Sequence, residues 1–196
     1  MQQISKSKQL KILDILGTNS GAWKSFLQSM NLDFEFLKPR EIKPGCTVLL
    51  PGVSSAKYYF AELEILRPLF ENRSISVFGV CAGFQALCGY NEESKSHGFN
   101  FIEADVKELS PKKSFLNTGW MNIGADEFFF NHSYGVFPAE DFKWNSYTNT
   151  ETMDCLGQVY LAEIRADKFV GVQYHPELSG EQGQRKFREL LGELDG

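Results

Sequence analysis

A short apolar run, Ile75-Ser76-Val77-Phe78-Gly79-Val80, stops at Cys81 and continues into Ala82-Gly83-Phe84-Gln85. The cysteine thus has a glycine two residues before it and another two residues after it. That spacing describes a strand delivered sharply into a helix with the cysteine at the bend in strained backbone angles. Side chains two positions to either side would collide there unless they were hydrogen. The bend also carries the sulfur over the first turn of the helix, where unpaired N–H groups and the positive end of the helix dipole favour a thiolate. Taken alone, the segment reads equally well as a buried cysteine in a Gly-rich strand-to-helix turn. Either reading requires a sheet with helices packed against it.

The first half of the chain repeats that alternation. Residues 11–16 (KILDIL) read as a strand, and residues 20–30 as an amphipathic helix with Ala22, Trp23, Phe26, Leu27 and Met30 on one face. Phe34–Leu37 and Thr47–Leu50 are short apolar strands, residues 59–71 place Leu63, Leu66, Leu69 and Phe70 at helical spacing, and residues 75–80 deliver Cys81. This order implies a parallel sheet with helices on its faces, joined by right-handed crossovers. After about residue 98 the style changes to short strands with turn residues between them: 101–102, 120–123, 128–130, 133–136 and 158–164. These suit antiparallel or mixed pairing. Residues 168–174 form a last apolar strand ending at His175-Pro176-Glu177, and 180–194 a helix with Phe187, Leu190, Leu191 and Leu194 inward. Nothing resembling a repeat or a Pro/Ser-rich linker separates the halves, so a single domain over 1–196 is expected, with 1–10 as an N-terminal arm.

Composition narrows the partners. With 196 residues, 42% of them hydrophobic, one substantial core is affordable and two are not. A net charge of -5 and the lack of a dense Lys/Arg run argue against nucleic acid or an anionic membrane, leaving a small molecule or a protein. Cys46, Cys81, Cys88 and Cys155 form no CxxC pair and no zinc-type spacing with histidine, which suits free thiols in a reducing cytoplasm. The start, MQQISKSKQLK, has no apolar signal core, and no segment approaches the roughly 20 apolar residues needed to span a bilayer.

A thiolate nucleophile needs a base near its sulfur and a third group to hold that base in one orientation. The chain offers His97, in the polar loop SKSHGF; His132, at a strand end in FFFNHSYG; and His175. His97 reads as solvated, and His132 as structural or site-lining. His175 is the best candidate: an apolar strand carries it to a loop, Pro176 restricts it, and Glu177 can reach back to its ring. Strand ends of a parallel sheet converge on the crevice where such folds build their sites.

GVCAGFQAL together with GVQYHPELSG resembles the triad-type (class I) glutamine amidotransferases, and most of all the glutaminase subunits of imidazole glycerol phosphate synthase. LLPGVSS, the GW of NTGWMNIG, NHSYGV and the SGEQG after His-Pro-Glu extend the likeness from about residue 11 to 194. The resemblance implies a flavodoxin-like α/β fold: a mixed, mainly parallel sheet with helices on both faces and an antiparallel extension. It implies Cys81, His175 and Glu177 as the triad and glutamine as substrate, with no cofactor and no metal. Oxyanion donors would come from Gly52, Val53 and Ala82. Gln85, Glu93, Ser133 and Tyr134 would hold the amino-acid head, Glu93 at the α-ammonium and Ser133 with Tyr134 at the α-carboxylate. Trp120 and Asn122 would face a synthase subunit, a (β/α)8 barrel cyclase bound as a heterodimer.

Three segments depart from the family pattern. The oxyanion loop, usually Pro-Gly-Val-Gly, ends here in Ser54; His-Met-Gly-Trp-Asn becomes Asn117-Thr118-Gly119-Trp120-Met121; and Asp-Tyr-Gly-x-Gly-Asn becomes Asp14-Ile15-Leu16-Gly17-Thr18-Asn19. A side chain at position 54 restricts rearrangement of the loop, which the family couples to partner binding. The acceptor is therefore open between the histidine-pathway cyclase and a specialised synthase, such as one aminating a sugar nucleotide. A stand-alone γ-glutamyl hydrolase and an inactive binding subunit are the other readings.

Overall fold

The computed structural model describes residues 9–54, 56–110 and 116–194, so all but two residues of the expected N-terminal arm lie outside the described residues. The first half alternates as expected: β1 (Leu10–Leu13), α1 (Ser20–Ser29), β2 (Phe34–Leu37), β3 (Thr47–Leu50), α2 (Ala56–Leu63), α3 (Arg67–Glu71), β4 (Ser76–Val80) and α4 (Ala82–Gln85). The second half is mostly strand: β5 (Tyr90–Asn91), β6 (Ser96–His97), β7 (Ala104–Glu108), β8 (Asn117–Ile123), β9 (Asp126–His132), β10 (Tyr134–Pro138), β11 (Asn149–Cys155), β12 (Gln158–Ala166) and β13 (Phe169–Val172). Helix α5 (Gly180–Leu194) is the last element among the described residues.

The main sheet runs β2-β1-β3-β4-β13-β12-β10-β7-β5-β6, with β11 paired to β12. The strands from β2 to β13 are parallel, and antiparallel pairing begins at β12. Strand β13 lies directly beside β4, in the register Val172↔Val80, although some 90 residues separate them. Alternation along these strands feeds two cores on opposite faces of the sheet. Ile12, Leu49, Phe78 and Val172 pack with α1 and α5 through Trp23, Phe26 and Phe187; Leu13, Val48, Leu50 and Val77 pack with α2, α3 and α4 through Tyr59, Phe60, Phe70 and Phe84. Trp23, Phe26 and Phe187 meet with ring centroids 5.4–5.8 Å apart. Asn19 starts α1 by accepting the Ala22 N–H at 3.2 Å, and Asn31, at φ 53, follows its end.

Several expectations require correction. The helix expected over 59–71 starts earlier, at Ala56, and is broken by a 3₁₀ turn over Glu64–Leu66, with Pro68 in the first turn of the segment that follows. Phe101 and Ile102 form no strand; their apolarity serves packing, Phe101 against Phe70 and Ile102 in the core, and the ladder begins at Ala104. Strands β5, β6, β7 and β11 have no counterpart among the expected elements; His97, expected in a polar loop, lies on β6, where the short strand pairs with β5 across Tyr90↔His97. Strands β8 and β9 pair only with each other, apart from the main sheet. Helix α4 is one turn long, which weakens the dipole argument for Cys81.

Candidate active site

Three neighbouring strands of the sheet end together. Strand β3 runs into Pro51-Gly52, β4 into Cys81, and β13 into Gln173-Tyr174-His175, with the Cys81 N–H donating to the Val172 carbonyl at 2.8 Å. Cys81 sits at φ 50, ψ -109, a region that costs a non-glycine residue of order 1–3 kcal/mol and is held only by its surroundings. The glycines on either side work as expected. A Cβ on Gly79 would come within 2.7–2.8 Å of the Gly83 and Phe84 backbone, and one on Gly83 would overlap the Leu50 carbonyl.

His175 is fixed at its backbone: its N–H donates to Phe129 at 2.8 Å and its carbonyl accepts from the Ser179 hydroxyl at 2.6 Å. Its Nδ1 lies 2.9 Å from Oε1 of Glu177, which a 3₁₀ turn over Pro176–Leu178 folds back under the ring. Nε2 makes no conventional hydrogen bond among the described residues, and the Cys81 sulfur acts on it electrostatically. Burial opposes a charged ring, yet Cys81 and Glu177 together outweigh it and hold the imidazole well above its ordinary range. Gly52 closes the group. A Cβ there would lie 2.9 Å from Cε1 of His175 and 3.2 Å from Cβ of Cys81.

A cavity of about 210 Å³ opens beside the sulfur. Gln85, Glu93, Ser133 and Tyr134 line it together with Cys81 and Ala82, and Ser54, Leu116, Asn131 and His132 complete its wall. Glu93 is the one charged group among the described residues of that wall; although its side chain reaches solvent, desolvation by the surrounding protein pushes its carboxyl up, against the lowering effect of a hydrogen bond from the Ala56 N–H. Both N–H groups of Gln85 are committed to protein, to the Tyr134 carbonyl at 3.0 Å and to Oε1 of Gln173 at 3.4 Å, so only its oxygen remains for a ligand. A larger cavity, about 350 Å³, opens at the opposite ends of β4 and β13, between Phe70, Phe101, Tyr147 and Phe169. Among the described residues that line it there is neither cysteine nor histidine, whereas Cys81 and His132 line the smaller one.

His132 resolves as a wall residue with a structural task. Its Nδ1 is 2.9 Å from the Tyr134 carbonyl, which can only accept, so Nδ1 carries the proton and Nε2 accepts from Asn117 at 3.2 Å. Burial, opposed in part by that hydrogen bond and helped by the nearby His175 charge, lowers its pKa to about 4. His97 is exposed on β6 against Tyr90.

Val53 is tied to Thr18 by an isolated antiparallel bridge, and Gly17, at φ 92, leaves room for Ser54: a Cβ on Gly17 would stand 2.9 Å from the Ser54 hydroxyl. Trp120 and Asn122 lie on β8, exposed, outside the cavity, with Trp120 edge-on to Phe129. Gln173, Asn131 and Leu116 were not foreseen. Gln173 carried a readable signal: a polar residue ending an apolar strand, two positions before His175 and hence on its side of the strand.

The family model for class-I glutamine amidotransferases matches residues 23–191. The imidazole glycerol phosphate synthase subunit HisH of Bacteroides thetaiotaomicron is 34% identical over 161 residues, 74% of this chain and 78% of its own. The subunit HisH 2 of Campylobacter jejuni is 27% identical over 189 residues, 88% and 92%. Among solved structures, a glutamine amidotransferase shares 20% identity at a TM-score of 0.61 over 93% of this chain and 98% of its own; another, from Thermotoga maritima, shares 15% at 0.55 over 97% and 96%. These two speak to the fold.

Proposed function

Since the chain belongs to the class-I glutamine amidotransferase family, we propose that it is a glutaminase subunit whose triad is Cys81, His175 and Glu177. The observation that carries this is the meeting of Gly52, Cys81 and His175 at three adjacent strand ends, beside a cavity walled by Gln85, Glu93, Ser133 and Tyr134. Cys81 attacks the side-chain carboxamide carbon of glutamine after passing its proton to His175. His175 then protonates the departing ammonia and activates water against the glutamyl thioester, while Glu177 holds the ring. The oxyanion takes N–H donors from Ala82, the first helical residue, and from the Gly52-Val53 segment; in comparable sites each such donor is worth about 10²–10³ in rate. Glu93 meets the α-ammonium, which restores the carboxylate that burial disfavours, and Ser133 with Tyr134 meets the α-carboxylate.

The ammonia goes to a synthase subunit, the (β/α)8 cyclase of imidazole glycerol phosphate synthase, bound as a heterodimer in the cytoplasm. Leu116 on the cavity wall, with Leu16, Tyr58, Trp120 and Leu178 elsewhere on the surface, is exposed and apolar, and such side chains support a protein partner. The Ser54–Gly17 packing favours a second reading, a specialised acceptor synthase, because it stiffens the loop that the partner must move. Glutamate release by wild type and Cys81→Ala, with and without each synthase, tests both. Release that needs Cys81 and rises only with the cyclase supports the first. Stimulation by a sugar-nucleotide synthase alone moves the chain to the second, and no Cys81-dependent release under any condition removes the glutaminase assignment.

A further inference from the structure

Gln173 is fully buried, and a buried amide must find partners on both of its ends. One end lies 3.7 Å from the Cys81 sulfur and the other 3.4 Å from Nε2 of Gln85. Which end is which follows from the far end of the chain of contacts. The Tyr134 carbonyl can only accept, so the Gln85 group 3.0 Å from it is the NH₂. The second hydrogen of that NH₂ faces Gln173, so the group receiving it is Oε1, and the end left on the sulfur is Nε2 with its hydrogens. The carbonyl is itself held in place by Nδ1 of His132 at 2.9 Å.

We propose that Gln173 stabilises the Cys81 thiolate, with Gln85 and the Tyr134 carbonyl fixing the amide so that an N–H faces the sulfur. The thiol form does not need it: the S–H has the Asn131 carbonyl at 4.0 Å. When the proton moves from Sγ to Nε2 of His175, the sulfur gains a negative charge. The N–H of Gln173 then becomes a charge-assisted donor to it, and no bond of the amide breaks. Cys81 is only 7% exposed, so water is poorly placed to supply the same contact. Gln85 therefore serves the nucleophile through its N–H groups and the ligand, at most, through its oxygen.

This inference rests on Cys81 being the nucleophile, but its test needs neither glutamine nor a synthase. Iodoacetamide labelling of Cys81, followed by mass spectrometry of its peptide across a range of pH, reads thiolate formation directly, with the partly exposed Cys46 and Cys155 as internal references. In Gln173→Met, which keeps volume and loses the N–H, the midpoint of the labelling curve moves up by about one pH unit, without a lower plateau at high pH. In Gln173→Glu it moves further in the same direction. An unchanged midpoint in a folded Gln173→Met, with or without a lower plateau, reduces Gln173 to packing and overturns the proposal. Should that variant fail to fold by circular dichroism, Gln85→Met cuts the relay one link earlier; a smaller upward shift supports the proposal and no shift overturns it. Normal labelling in a wild type that releases no glutamate would remove the glutaminase reading and leave this one standing.

Discussion

Replacing Gly52 by alanine isolates the contact that joins the Pro51-Gly52 loop to Cys81 and His175. Gly52 is not among the glycines with positive φ, so alanine there meets no left-handed penalty and its main effect is the contact its methyl group makes. That methyl would stand 2.9 Å from Cε1 of His175 and 3.2 Å from Cβ of Cys81, where carbon–carbon contacts relax at about 3.5–4.0 Å. The imidazole must retreat by roughly 0.6–1 Å, and misplacement of a reacting group on this scale costs about 10²-fold in rate. Overpacking costs the fold about 1–3 kcal/mol, or roughly 2–12 °C in Tm for a domain of this size. Steady-state glutamate release at saturating glutamine, with the stimulating synthase present, should show kcat about 10²-fold lower in the folded variant. KM should stay within about threefold, because Gly52 is not on the cavity wall. A kcat within threefold of wild type would mean that Gly52 does not press on the base, and the geometry argued for the triad would fall with it.

Glu177→Gln keeps the side chain's shape under the His175 ring but removes its charge, so kcat should fall by about 10²–10⁴ with the thermal melt little changed; activity within tenfold of wild type would deny Glu177 its role. His132 makes a second, acid-side prediction. Its folded pKa of about 4 lies below the 6.5 of an exposed histidine, so the fold favours the neutral ring. The stability this confers is complete above pH 6.5 and drains away as pH falls toward 4, by about 3 kcal/mol in all. Urea unfolding across that range should give a flatter pH dependence for His132→Gln than for wild type, and identical slopes would place the histidine's titration elsewhere.

The local geometry of the candidate site was more legible in the chain than the pairing of the strands that hold it. Gly79, Cys81 and Gly83 announce their geometry because backbone sterics act over two residues, and the structure shows both glycines pressed against main chain. His175 and Glu177 are readable for the same local reason, since two residues suffice to fold a carboxylate back onto a ring. What escaped depends on distant partners. Residues 101–102 are apolar because Phe70 lies across from Phe101, and the segment 149–155 is a strand because β12 offers it an edge, with no strong apolar alternation of its own. The role of Gln173 needs Gln85 and Tyr134, which approach it only in the folded chain.

The position of β13 sets an order of events. It is the last strand among the described residues, yet it occupies the middle of the sheet, between β4 and β12. Until it docks, His175 is not brought to Cys81, and two sheet edges stand open to whatever strand arrives first. Under the proposed triad, a nascent or truncated chain that lacks residues 169–177 should release no glutamate, and its open edges should make it prone to aggregate. The long sequence separation between β4 and β13 slows folding, and it also acts as an interlock, in which Cys81 and His175 meet only once some 90 further residues have been made and β13 has docked.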